Sequence, residues 1–546
     1  MKRKTLARGI TASLVVTSLT GCALGNENAP MAVAPSEPAY CIDAAVEPDA
    51  YYVNEYYDSN ERIYGCAEEE YIEDGEDWIE FNTEEYSKID ENIFKDVSTS
   101  PLSTFSADVD TASYSNVRRM INDGLRIGDI PSGAVRAEEM INYFTYDYDG
   151  PNENEPFGVN AEISECPWNA DHKLVHIGLK TEDIDYSEAP ASNIVLLVDV
   201  SGSMSSSNKL PLVKESFEMM LENLSEKDTI SIVTYANGVD VVLDGVSCDK
   251  KEKITKALES LKASGGTYGE GGIEEAYRVA EKNFIKEGNN RIIIASDGDF
   301  NIGKTNQSDL SGLIKEKAES GVYLSVLGYG MGNYSDTRME TLADDGNGNY
   351  AYIDTIHEAK KVLVKEFAAN MLTVAKDVKF QVEFNPKYVA EYRLIGYENR
   401  ALNNEDFEDD KKDAGEIGAG HSVTVLYEIV PASDESTESN LKYQANQLTE
   451  EALNSNDWFT LSVRYKEPDA DESKLLEYQI GADCYTDTPS DNFVLSAAVA
   501  EFAMILKGSD YVAEGNLDHV AEELNSIPLN DEFRREFATL VDKVNL

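Results

Sequence analysis

Five residues in three glycine-rich stretches carry oxygen atoms suited to holding a hard cation. Asp199, Ser201 and Ser203 lie in IVLLVDVSGSM (194–204), Thr267 in SGGTYGEGG, and Asp297 in ASDGD. Carboxylates and hydroxyls favour Mg²⁺, Mn²⁺ or Ca²⁺ over zinc or copper, and these stretches contain neither His nor Cys. Two carboxylates balance one divalent charge while three hydroxyls stay neutral. An ion held this way keeps an attraction for one more anionic oxygen from outside, such as the Asp or Glu of a protein partner. Gly202, Gly265, Gly266 and Gly298 supply the tight backbone such loops require.

These stretches need elements that bring them together. IVLLVDV and RIIIAS are continuous apolar runs, the pattern of strands buried on both faces. From 194 to about 375 strand and helix signals alternate: a helix near 208–224, TISIVTY, VDVVL, helices 250–263 and 271–286, RIIIAS, helix 308–320, VYLSVLGYG, helix 335–344, YAYID and helix 357–374. This pattern predicts an α/β fold, a doubly wound and mostly parallel sheet, whose ligand site lies beyond the carboxyl ends of the strands. On both sides, segments of alternating hydrophobicity predict strands: FGVNAEI, HKLVHIGLK, VKFQVEFN, HSVTVLYEIV, WFTLSVRYK and KLLEYQIG. The α/β unit is therefore expected to be inserted in a β-rich domain.

Asp-x-Ser-x-Ser, then Thr267, then Asp297, resembles the metal-ion-dependent adhesion site of von Willebrand factor type A (VWA) domains. The resemblance implies a Rossmann-like fold in which Ser201, Ser203 and Thr267 contact the ion and Asp199 and Asp297 bind it directly or through water. It implies Mg²⁺, or Mn²⁺ or Ca²⁺, as cofactor. Tyr268 and Glu270 follow Thr267 where smaller or neutral residues are usual. Further stretches, among them PLSTFSADVDTASYSNVRRMI, GNNRIIIASDGDFNIG, EFNPKYVAEYRLIGYENR and AGEIGAGHSVTVLYEIVP, resemble bacterial VWA lipoproteins with a helical N-terminal segment and a C-terminal domain of unknown function.

The rest of the chain divides by composition. Lys2, Arg3, Lys4 and Arg8 precede the short apolar run Ile10–Leu19, then Leu19-Thr20-Gly21-Cys22. This looks like a lipoprotein signal (1–22) with Cys22 lipidated, anchoring an exported protein to the outer face of the cytoplasmic membrane or to the outer membrane. Residues 23–98, where acids far outnumber bases, predict an acidic disordered tether. Residues 99–150 predict two helices, the first starting at a cap on Thr111 or Ser113 and stopping at Gly124; Asp108 and Asp110 read as turn and capping residues. The β-rich flanks are 151–190 and 377–485, the VWA domain 191–376, and the C-terminal region 486–546, with amphipathic helices at 491–507, 515–525 and 530–544. Of six cysteines, five remain beside Cys22, and Cys41–Cys66 is one candidate bridge.

At 546 residues and a net charge of −55, the chain lacks the basic surface that nucleic acid requires, and it will not dock electrostatically on anionic lipid. There is no G-x-S-x-G, H-E-x-x-H or P-loop to support an enzyme. The histidines (His172, His176, His357, His421, His519) lie away from the three stretches, and His172 with His176 reads as a surface pair on one strand. The leading expectation is a membrane-anchored, metal-dependent protein-binding or adhesion module that captures a partner carboxylate. A scaffold or assembly factor for an envelope complex is the alternative, and a metal-dependent hydrolase a weaker one.

Overall fold

The computed structural model describes residues 84–545, apart from 153–154, 185, 188, 299–306, 333, 434–447, 469 and 513–516. The signal segment with Cys22, the Cys41–Cys66 pair and most of the tether lie outside the described residues. The end of that tether, 84–98, is held rather than free. Glu84 pairs with Arg119 at 2.8 Å, the Phe94 ring packs on His172 and Tyr511, and strand β1 (Lys95–Asp96) pairs antiparallel with Tyr392 and Glu391.

Strand β2 (Leu102–Ser106) leads into helix α1 (Ala112–Asn122), which ends, as its sequence predicts, before a left-handed Gly124. Neither expected cap acts as one. The Ser113 hydroxyl instead donates to the Ala134 carbonyl at 2.6 Å and accepts from the Arg136 N–H. The second helix is shorter than expected: a 3₁₀ turn, Ser132–Ala134, precedes α2 (Ala137–Asn142). Asp108 does hold a turn, accepting the Asp110 N–H, but neither acid caps α1. Both are buried against Arg400, and Asp110 accepts the Tyr350 N–H at 2.8 Å. Their role is to weld the entry segment to the next domain.

After β3 (Phe157–Cys166) and β4 (Asn169–Thr181) the chain enters the α/β unit. Its elements are β5 (Ser192–Asp199), α3 (Leu210–Met220), β6 (Thr229–Tyr235), β7 (Val239–Ser247), α4 (Lys251–Ser260), α5 (Gly269–Lys282), β8 (Asn289–Ser296), α6 (Gln307–Glu319), β9 (Tyr323–Tyr329), α7 (Asp336–Asp345), β10 (Tyr350–Ile353), α8 (Ile356–Lys360) and α9 (Phe367–Met371). The sheet order is β10-β9-β8-β5-β6-β7, parallel except for the edge strand β7. All eight residues of the central β5 are buried, which is why its sequence runs apolar without alternation. Ile194, Leu196 and Val198 pack against Val213 and Phe217 of α3 and Ile254 and Leu258 of α4, while Val195 and Leu197 pack against Ile273, Ala276 and Met339 on the opposite face.

The helix expected over 357–374 is broken. A π turn, Lys361–Lys365, follows α8, with the Glu366 N–H reaching back five residues to the Lys361 carbonyl at 2.9 Å. Asn370 takes the Val362 carbonyl at 2.8 Å, and α9 stops at Met371. The next strand therefore begins earlier than its alternation suggested.

That strand is β11 (Thr373–Phe384), followed by β12 (Val389–Ile395), β13 (Gly415–Gly418), β14 (Ser422–Pro431), the short α10 (Glu450–Asn454), β15 (Asp457–Lys466) and β16 (Lys474–Gly481). They complete two antiparallel sheets, β1-β12-β14-β4-β3 and β13-β11-β15-β16, with β2 also on β11. Strand β4, before the α/β unit, pairs directly with β14, after it, Val175 lying opposite Tyr427. The unit is thus an insertion in a β-sandwich whose core holds Val175, Ile177, Phe380, Val382 and Val425.

Helices α11 (Asp491–Lys507), α12 (Leu517–Ser526) and α13 (Glu532–Asn545) join α1 and α2 over the outer face of the five-stranded sheet. Helix α11 starts at a Ser490 cap, stops at a left-handed Gly508, and is buried on every side rather than amphipathic. This cover overturns the surface histidine pair. His176 is buried, its Nε2 2.9 Å from the Tyr148 hydroxyl and its ring against Phe493; His172 meets Glu428. Among the described residues no helix is long and apolar enough to cross a membrane, and Cys166, Cys248 and Cys484 are free thiols.

Candidate functional site

The first of the three stretches follows β5. Asp199 is its last residue and fully buried, so the side chain is fixed by the sheet. One carboxylate oxygen accepts the Ser201 N–H at 2.8 Å; the other accepts the Ser296 hydroxyl at 3.3 Å, and the Tyr235 hydroxyl from β6 also lies against it. Burial pushes the Asp199 carboxyl up to about 6, against the lowering effect of the Ser201 hydrogen bonds, and the nearby Asp297 charge adds to the rise. The Ser201 and Ser203 hydroxyls are 3.0 Å apart, Ser201 buried and Ser203 exposed, so this pair opens from the buried acid towards solvent.

The second stretch is attached to the first by backbone. Gly202 N–H donates to the Gly265 carbonyl at 2.9 Å and Ser264 N–H to the Val200 carbonyl at 2.8 Å. Gly265 is left-handed (φ +85°), and a side chain there would strike Asn237, whose oxygen holds the Gly266 N–H at 2.6 Å. Thr267 follows, half-buried, and Tyr268 N–H bonds to the Ala236 carbonyl just after β6. The third stretch follows β8 and places a fully buried Asp297 one strand from Asp199. The three loops are thus bound to one another by these hydrogen bonds, and Thr267 lies two residues beyond the Gly265 link.

Sequence reasoning missed Lys209. Its ammonium is 2.9 Å from Asp297 Oδ2, and both side chains are buried, at 8% and 0% exposure. The aliphatic stem runs past Gly330 (φ +79°), where a Cβ would approach Lys209 Cε to 2.2 Å. A lone Lys before an apolar helix carries no signal, since its target lies 88 positions away. The glycine in LGYGMG was the nearest hint. Glu270 lies in the first turn of α5.

The donor set is all oxygen, with two buried carboxylates and hydroxyls on one rim, which fits a hard divalent cation better than any sulfur- or nitrogen-seeking metal.

A family profile for the von Willebrand factor type A domain matches residues 193–365, and one described as von Willebrand factor matches 80–176. A third, described as Uncharacterized protein YfbK, C-terminal, matches 369–546. The "Uncharacterized protein YfbK" of Escherichia coli (strain K12) is 40% identical over 469 residues, 84% of this chain and 81% of its own length. This chain belongs to the YfbK family. The chain is also similar to human inter-alpha-trypsin inhibitor heavy chain H4, 27% identical over 168 residues, which is 29% of this chain and 17% of that protein. A solved structure, von Willebrand factor type A from Catenulispora acidiphila, covers 73% of the chain and 91% of its own at 13% identity and a TM-score of 0.39. The YfbK-family chain thus carries a VWA domain, a protein-interaction or adhesion module of a class that commonly binds a divalent metal and is generally not enzymatic.

Proposed function

We propose that this protein is a membrane-anchored module that captures a carboxylate of a protein partner through a divalent ion, Mg²⁺ with Mn²⁺ or Ca²⁺ as substitutes. Asp199, Ser201, Ser203, Thr267 and Asp297 would hold the ion, and Cys22 would carry the lipid that keeps the exported chain on its membrane. The observation that carries the reading is the cross-linking of three loops at the carboxyl ends of β5 and its neighbours, with two buried acids behind a rim of hydroxyls. Lys209 sharpens it. Asp199, Asp297 and Lys209 together carry a formal charge of −1, so a divalent ion would leave the site at +1 and seeking an anion.

The test is capture of partners from an envelope extract by the full chain in Mg²⁺, in EDTA, and with Asp199→Ala. A partner retained in Mg²⁺, released by EDTA and absent from the variant supports the reading. Identical capture in all three arms refutes it. Replacing Cys22 with Ser should release the protein from membranes; unchanged membrane association would refute the anchor.

A further inference from the structure

A second cluster lies in the C-terminal helices, away from the three loops. Helix α11 is apolar along nearly its whole length, with Leu495 to Leu506 buried, yet Glu501 sits in the middle of that run at 2% exposure. A carboxylate there is costly unless something pairs with its charge. Across from it, α12 presents His519 and Glu523, four residues apart and so on one face. His519 Nδ1 is 2.7 Å from Glu501 Oε2. Glu523 points into the same space: its Oε2 is buried and meets no hydrogen-bond partner among the described residues. Burial first, and the Glu501 charge second, push the Glu523 carboxyl up to about 8. One ligand atom from each of the three side chains lies within 4.8 Å of the other two. Two acids thus share a half-sealed niche with one imidazole, and His519, at 31% exposure, keeps a path open to solvent.

We propose that Glu501, His519 and Glu523 form a binding site for a divalent transition metal of the zinc class, with water completing its coordination. The donors decide the class. Two carboxylates and one imidazole suit Zn²⁺, Co²⁺ or Mn²⁺, whereas Mg²⁺ and Ca²⁺ prefer oxygen alone. A divalent ion cancels both carboxylate charges, which the imidazole by itself cannot do. The proton now lying between His519 Nδ1 and Glu501 moves to Nε2 of the ring or leaves to solvent, the proton that burial keeps on Glu523 is released to solvent as well, and the ion takes their place. Ligand atoms about 2.0–2.2 Å from zinc sit roughly 3.3–3.6 Å from one another in a tetrahedral site, a spacing between the present 2.7 Å of His519 to Glu501 and the 4.8 Å that bounds the cluster. The ion would staple α12 to α11, the helix that anchors the C-terminal cover to the sandwich. The site is independent of the adhesion loops and would stand if the function proposed above fell.

The experiment uses the full chain without a polyhistidine tag, carrying Asp199→Ala so that the first cluster does not contribute. Zn²⁺ binding is followed by calorimetry and Co²⁺ binding by visible absorption. The expected result is one equivalent of Zn²⁺ and a Co²⁺ spectrum of low-symmetry N/O ligation. Glu523→Gln and His519→Asn should each weaken Zn²⁺ by at least roughly 100-fold, more than the loss of an outer partner typically costs. With its carboxyl pushed up to about 8, Glu523 is mostly protonated near pH 7, so Glu523→Gln exchanges one neutral group for another: in EDTA it should melt close to the parent temperature, and Zn²⁺ should no longer raise it. Absence of Zn²⁺ binding in the parent, or equal binding in both variants, overturns the proposal.

Discussion

Replacing Lys209 with Met tests how the buried charges near Asp199 are balanced. The ammonium lies 2.9 Å from Asp297 Oδ2, and neither side chain has appreciable contact with water. Methionine preserves most of the stem that packs over Gly330 while removing the charge. Removing one member of a buried ion pair typically costs about 3–5 kcal/mol, because the remaining charge is left in a poor solvent. For a domain of this size that is on the order of 6–20 °C in melting temperature. In EDTA the variant should show this full loss. In Mg²⁺ the ion supplies the missing positive charge, and the variant should recover most of it. Wild type should gain about 2.7 kcal/mol at a metal concentration 100 times the dissociation constant, and the variant more than that at the same concentration, because it binds the ion more tightly. The assay is thermal unfolding of the full chain over a Mg²⁺ series, wild type against variant. An equal loss with and without Mg²⁺ would mean that Lys209 only packs. A smaller metal gain in the variant would mean that the lysine assists the ion, and the charge argument would be wrong.

Gly330→Ala should behave as a weaker form of the same change: the left-handed backbone alone costs about 1–2 kcal/mol, and the new methyl meets the Lys209 stem, so its stability should also depend more steeply on Mg²⁺ than that of wild type. His176 is buried, with its pKa pulled down by burial to about 3, so between pH 6.5 and 4 the unfolded chain takes up a proton that the folded chain refuses. Stability should therefore fall with pH across that window by about 3 kcal/mol on account of this residue; urea unfolding of His176→Gln should show the shallower profile, and parallel profiles would discount the effect. Arg118 joins α1 to Asp354 and Glu358 at the start of α8 and to Glu536 on α13. Arg118→Met should cost about 3–5 kcal/mol in chemical unfolding, and a loss below 1 kcal/mol would show that these acids re-pair or take up protons.

How far the fold could be read in advance differs between its parts. The α/β unit was legible because strands buried on both faces must be continuously apolar, and IVLLVDV and RIIIAS are; their spacing by amphipathic helices then dictates a parallel sheet. The insertion was legible because alternation stops on one side of that unit and resumes on the other. The single helix over 357–374 was misread because periodicity cannot register a π turn, which Lys361, Glu366 and Asn370 fix through contacts within and beside the turn. Asp108, Asp110 and His176 were misplaced on the same ground: each looks local in sequence, yet its partner, Arg400 for the acids and Tyr148 for the histidine, comes from a separate part of the fold.

The sequence by itself determined what depends on short-range pattern: the order of strands and helices, the three oxygen-bearing loops, and the all-oxygen chemistry of Asp199, Ser201, Ser203, Thr267 and Asp297. Only the tertiary structure decided which charges face one another. Lys209 reaches Asp297 across 88 positions, and His519 reaches Glu501 between two helices. A charge acts over a few ångströms of space whatever its separation along the chain, and no local pattern records that distance.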